Sequence, residues 1–194
     1  LTIPEGVTLS QPKTAFGTKY LLDATCFKPY ATATNDYIFE NNKSDATAMY
    51  FEYKVTLDET KFEGTADFAD GTFYRYNNVI YTSFAQIFKA YEDVTGLFDG
   101  KSATDLQTEL KEAKTEPTDK NAKSVETKLS EFRATYGIEV FNKGLTYYKQ
   151  VITDKQLGKD VIQRNTIYRL NVNKIFNVGA QVPNGTPDKE GLFY

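Results

Sequence analysis

The chain of 194 residues contains no histidine and no tryptophan, and only one cysteine and one methionine. Without histidine, its own side chains cannot supply a Ser-His or Cys-His catalytic pair, nor an imidazole-ligated zinc, copper or haem. The lone Cys26 cannot close a disulfide within the chain, and Ala24, Thr25 and Phe27 around it include no base to activate it, so a buried structural thiol is expected. The longest apolar run is four residues, 48–51, against the roughly 20 that a membrane-spanning helix needs. Basic residues are scattered, the net charge is -3 and the pI is near 5.2, which leaves no electrostatic footprint for nucleic acid. The chain opens on Leu1 without an initiator methionine, as a mature or trimmed product or a cloned fragment would.

Aromatics are what it has in quantity, with 14 tyrosines and 14 phenylalanines. Residues 47–58 alternate Met49, Phe51, Tyr53, Val55 and Leu57 with Tyr50, Glu52, Lys54, Thr56 and Asp58, which predicts a strand with one buried and one wet face. Residues 167–173 alternate in the same way, with Tyr168, Leu170 and Val172 opposite Arg169, Asn171 and Asn173. Phe73 to Tyr76 and Val79 to Tyr81 flank Asn77-Asn78, two residues that tolerate positive φ and so suit a tight hairpin. Residues 138–141 and 145–152 flank Asn142-Lys143-Gly144 and predict a second hairpin. Tyr37, Ile38 and Phe39 read as a further strand.

A block of different composition starts at Ser83. Phe84, Ile87, Phe88, Tyr91 and Val94 recur at helical spacing, with Gly96 as a stop. Residues 101–136 carry fourteen charged side chains and two aromatics, against eighteen aromatics in residues 16–94. Thr104 and Gln107 have capping-box spacing, Pro117 breaks the helix, and a second helix with Ala122, Val125, Leu129 and Phe132 on one stripe ends at Gly137. The predicted fold is mainly β: an antiparallel β-sandwich of about seven strands, with a helical insertion at about 83–136. Residues 183–188 are turn formers and read as a linker before Leu192-Phe193-Tyr194, a strand that has only begun.

Candidate chemistry is thin. Asp67, Asp70 and Gly71 lack the alternating acids and terminal glutamate of a calcium loop and read as a surface turn. Glu139 alternates as a solvent-facing residue, so a paired-carboxylate hydrolase finds no support and the chain reads as no enzyme. No cofactor is called for. The aromatics form either a core without tryptophan or a sugar-stacking platform, on which Tyr50 is the candidate exposed ring.

The run from Val161 through Gln163-Arg164-Asn165-Thr166-Ile167-Tyr168-Arg169-Leu170 to Ile175 resembles the penultimate-strand signature of the fimbrillins that build type V pili. Tyr37 to Asn42, the hairpin at 76–81 and Leu145-Thr146-Tyr147-Tyr148 stand in the order this resemblance expects. It covers roughly residues 35–194 and is closest to the C-terminal domain of the Mfa-type fimbrillins, with Arg164 and Asn165 as the family motif. The resemblance implies a single transthyretin-like C-terminal domain spanning residues 1–194, with the N-terminal domain and the final strand absent from the chain. It implies an exported lipoprotein of a Gram-negative outer surface, although Cys26 does not match a lipid-attachment motif. It further implies a structural subunit of a fimbrium that assembles by donor-strand exchange and supports adhesion. The implied partners are copies of the same pilin, accessory pilus subunits, and host or bacterial surface ligands. Tyr168, Leu170, Val172 and Phe193 are expected to line or border the subunit groove. A monomeric carbohydrate-binding β-sandwich module of a surface lipoprotein is the alternative.

Overall fold

The computed structural model describes residues 7–9, 13–16, 27–29, 38, 40–42, 46–119, 122–170, 175 and 177–183. They form antiparallel sheets together with helices. The larger sheet is organised by β4 (Ala48–Leu57). Along one side of it runs β8 (Leu145–Val151), in register from Ala48 opposite Val151 to Lys54 opposite Leu145. The other side is shared by β1 (Val7–Leu9) and β2 (Lys13–Phe16), with β3 (Phe27–Pro29) beyond β2. The expected alternation of β4 holds where it is strongest, since Phe51, Tyr53 and Val55 are buried while Lys54 and Thr56 are exposed. Glu52 departs from it. It is buried, and its strand neighbour Tyr147, half-buried, hydrogen-bonds to it.

The second sheet has the order β6 (Val79–Tyr81), β5 (Phe73–Tyr76) and β7 (Glu139–Phe141). Asn77 and Asn78 turn its hairpin at φ 48° and 63°, the left-handed pair that suits the twist of the flanking strands. Both faces of this sheet are covered. Phe73, Ile80 and Phe141 meet Val55 of β4 in one apolar cluster, with the Phe73 and Phe141 rings stacked at 4.7 Å. On the opposite face Tyr74 and Val140 join a larger cluster with the helices, where Tyr74 stacks on Phe84 at 4.3 Å.

The helices are α1 (Phe84–Ala90), α2 (Ala103–Ala113) and α3 (Val125–Tyr136), inside the predicted insertion. Ile87, Leu106, Leu110, Leu129 and Phe132 supply their common core, and full burial of such a side chain is worth about 1.5–3 kcal/mol. Ser83 and Ser124 cap α1 and α3, and Gly137 closes α3 at φ 69°. α1 is shorter than its periodicity suggests: Tyr91 closes on the Ile87 carbonyl, and Gly96 begins the following turn instead of stopping the helix. The capping box of α2 is Ser102 with Asp105, not Thr104 with Gln107, whose amide reaches the Asp67 carbonyl at 3.1 Å.

Two further expectations need correction. Residues 138–141 and 145–152 are not a hairpin: β7 pairs with β5 and β8 with β4, so Asn142-Lys143-Gly144 hands the chain from one sheet to the other. Gly144 has φ 75°, and a methyl there would lie 2.6 Å from the Val55 carbonyl oxygen, so the crossing requires glycine twice over. Residues 167–170 carry the strand pattern but form no strand, and neither does Ile38. Tyr37, Phe39, residues 171–174 and Leu192-Phe193-Tyr194 lie outside the described residues, as does Cys26.

Candidate functional site

The Arg164–Asn165 motif sits on a turn, with Asn165 at φ 56° and Arg164 ion-paired to Glu40 at 3.0 Å on the surface. Beneath this turn the organising group is Asp154. Only 3% of it is exposed, and its carboxylate accepts from the amides of Gln156 and Leu157 at 2.9 Å each, from the Gln163 amide side chain at 2.6 Å and from the Tyr168 hydroxyl at 2.9 Å. The Leu157 amide, followed by the Gln163 side chain, holds the Asp154 carboxyl below its ordinary range. The Gln163 amide in turn donates to the Tyr168 oxygen at 3.0 Å, and Ile162 exchanges two backbone hydrogen bonds with Asn41. Burial pushes the Tyr168 phenol up.

These bonds fix the start of the strand-patterned segment. Ile167 and Arg169 point outward, and Ile167 is 83% exposed, while Tyr168 and Leu170 are half-buried. The alternation read from the sequence is therefore realised in exposure, yet residues 167–170 pair with no strand among the described residues. Exposed Leu157 belongs to the tight turn that supplies two of the Asp154 donors. Of the expected groove residues, Tyr168 and Leu170 are each half-buried; Val172 and Phe193 lie outside the described residues.

Neither a protein-family model nor a curated protein matches the sequence.

Elsewhere, polar groups are occupied in structural work. Asp67 accepts from the Phe84 amide at 2.8 Å and the Tyr74 hydroxyl at 3.1 Å, and burial raises its carboxyl above the ordinary value. Asp70 accepts from Thr72 and from Lys114, whose ammonium lies 3.7 Å over the Phe68 ring. Among the described residues, no group of three or more acids or cysteines is arranged to hold a metal ion. An open groove of about 570 Å³ runs beside Asp99, Lys101, Asp105, Glu109 and Glu112, but Lys101 pairs with Glu109 and Asp105 is spent on the α2 cap.

Glu139 is not the solvent-facing residue its alternation implies. It lies opposite Arg75 in the β5–β7 register and takes a two-pronged ion pair from it, at 2.5 and 2.9 Å, with 15% of its side chain exposed. Tyr50, the expected exposed ring, is half-buried with the Lys149 ammonium 5.9 Å from its centroid. Most of the described aromatics fill the two clusters.

Sequence reasoning missed Asp154 and Arg75. The signal for Asp154 was present in Thr153-Asp154-Lys155-Gln156-Leu157-Gly158, an aspartate-led turn closed by glycine. For Arg75 the signal was opposite charges inside two apolar strands, Tyr74-Arg75-Tyr76 and Ile138-Glu139-Val140.

Proposed function

We propose that this chain is a structural subunit of a cell-surface fimbria of a Gram-negative cell. In this reading subunits join by donating a strand from one copy to the next, and the fibre supports adhesion. The fold is then the seven-stranded sandwich of the fimbrillin type, completed in the assembled fibre.

The observation that carries the reading is the segment 167–170. It has the residue types and the alternating exposure of a strand, is fixed at its start by the Asp154–Tyr168 bond, and pairs with no strand among the described residues. A segment with the residue pattern of a strand and no strand partner among the described residues is a candidate template for another strand, and strand addition would cover its apolar row. The sequence resemblance of residues 161–175 to the fimbrillin penultimate strand supports it independently. Binding a row of about four large side chains at roughly 2 kcal/mol each, plus backbone hydrogen bonds, gives a stable joint with no cofactor or energy source.

The test is a polymerisation assay on the full-length, protease-trimmed subunit, read by electron microscopy and paired with a glycan array. Fibres that grow from the purified subunit alone support the reading. A species that never polymerises and binds a sugar saturably overturns it in favour of a carbohydrate-binding module.

A further inference from the structure

Residues 177–182 run as a strap held by β5, β7, β8 and α3. The Tyr148 hydroxyl of β8 donates to the Asn177 carbonyl. Arg75 of β5 donates to the carbonyls of Val178 at 2.7 Å and Gly179 at 3.2 Å, and donates twice more to Glu139. Ala180 exchanges two backbone hydrogen bonds with Tyr147 of β8, at 2.8 and 2.9 Å. The Gln181 side chain accepts from the Val140 amide of β7 and donates to the Leu129 carbonyl of α3 at 3.3 Å. The two valines fill different cores: Val178 lies in the cluster between the sheets, and Val182 in the cluster under the helices. Gly179 lies so close to β8 that a side chain there would collide with the Tyr147 carbonyl oxygen.

Two strands of one sheet could be tied together by a ladder alone. This strap instead takes side-chain bonds from Arg75 of β5 and Tyr148 of β8, and its own Gln181 side chain bonds the backbones of β7 and α3. We propose that residues 177–182 are a mechanical clamp with Arg75 at its centre. Tension that enters through the chain after Pro183 is spread over both sheets and the helical layer before any strand is peeled. The source of that tension rests on the fimbrial reading; the clamp itself is a property of the single chain.

The test is single-molecule force spectroscopy on the full chain in a Cys26→Ser background. One axis runs from a Lys61→Cys handle to the C-terminus and crosses the strap. The other runs from Lys61→Cys to Asp93→Cys and bypasses it. Arg75→Met is expected to raise the rupture rate at fixed force roughly tenfold more on the first axis, which loads the Val178 and Gly179 bonds, than on the second, where only the Glu139 pair within the loaded span is lost. Gln181→Met gives the same directional result if Arg75→Met folds poorly. Equal acceleration on both axes, or none on either, overturns the clamp. The measurement needs no fibre, so a chain that fails to polymerise still tests it.

Discussion

Replacing Arg75 by methionine leaves the volume of the side chain nearly filled and removes its charge. In the folded protein this guanidinium is 10% exposed, makes two hydrogen bonds to Glu139 and two to strap carbonyls, and lies 5.2 Å from the Phe141 ring centroid. Removing one partner of a buried ion pair costs about 3–5 kcal/mol, chiefly because the other charge is left uncompensated. Here Arg133 stands 3.6 Å from Glu139 and compensates in part, which places the expected loss near the lower limit, about 3 kcal/mol. Equilibrium urea denaturation followed by far-ultraviolet circular dichroism reads it. The double variant Arg75→Met/Glu139→Leu separates the two contributions. It removes the stranded carboxylate and should recover part of the loss, but the carbonyls of Val178 and Gly179 stay unserved at about 1 kcal/mol each. An Arg75→Met variant within about 1 kcal/mol of the parent would refute the reasoning, since it would mean the pair contributes no more than an exposed one.

The remaining predictions address other parts of the molecule. Gly144→Ala should cost at least about 1–2 kcal/mol from the left-handed φ alone, with more from the Val55 carbonyl, and a thermal melt unchanged from the parent would contradict the crossing geometry. Asp154, held below its ordinary value of 3.8, contributes stability that is present above that value and lost as pH falls through its lower folded value. Amide protection factors in residues 154–168, measured against the intrinsic rate at each pH, should therefore fall on acidification in the parent, and Asp154→Asn should remove that fall. Asp67 has the opposite sign: its raised carboxyl favours folding below 3.8, and that contribution is lost as pH rises through the folded value. Asp67→Asn should thus gain on the parent between pH 3 and 7 in matched denaturation curves, and a constant difference would sink the assignment. Ile167→Asp should leave monomer stability within about 0.5 kcal/mol, because the side chain is 83% exposed, while abolishing fibre growth in the polymerisation assay.

What the sequence made legible was whatever a local pattern determines. The pleat of β4, the Asn77-Asn78 turn and the Val125, Leu129, Phe132 stripe of α3 depend on neighbours within a few residues, and each is found where the pattern put it. The misreadings come from partners distant in the chain. Asn142-Lys143-Gly144 has hairpin chemistry, but whether the next strand turns back or crosses to β4 is decided by packing against Val55, about ninety residues earlier. Glu139 alternates outward, yet Arg75 on the adjacent strand draws it into a buried pair beneath the strap. The α2 cap shifted by two residues because Ser102-Asp105 and Thr104-Gln107 share the same spacing, and only Gln107 has a tertiary acceptor in Asp67. In the candidate site, the alternating exposure of residues 167–170 was legible from the pattern, whereas Asp154, which holds Tyr168, carries no periodic signal.

Hydrogen exchange at Ile167, Tyr168, Arg169 and Leu170, compared between the monomeric subunit and the assembled fibre, tests the central claim most directly. If a strand from another copy pairs with this segment, alternate amides should pass from rapid exchange in the monomer to strong protection in the fibre. Fibres in which all four amides exchange as fast as in the monomer would contradict strand addition at this site.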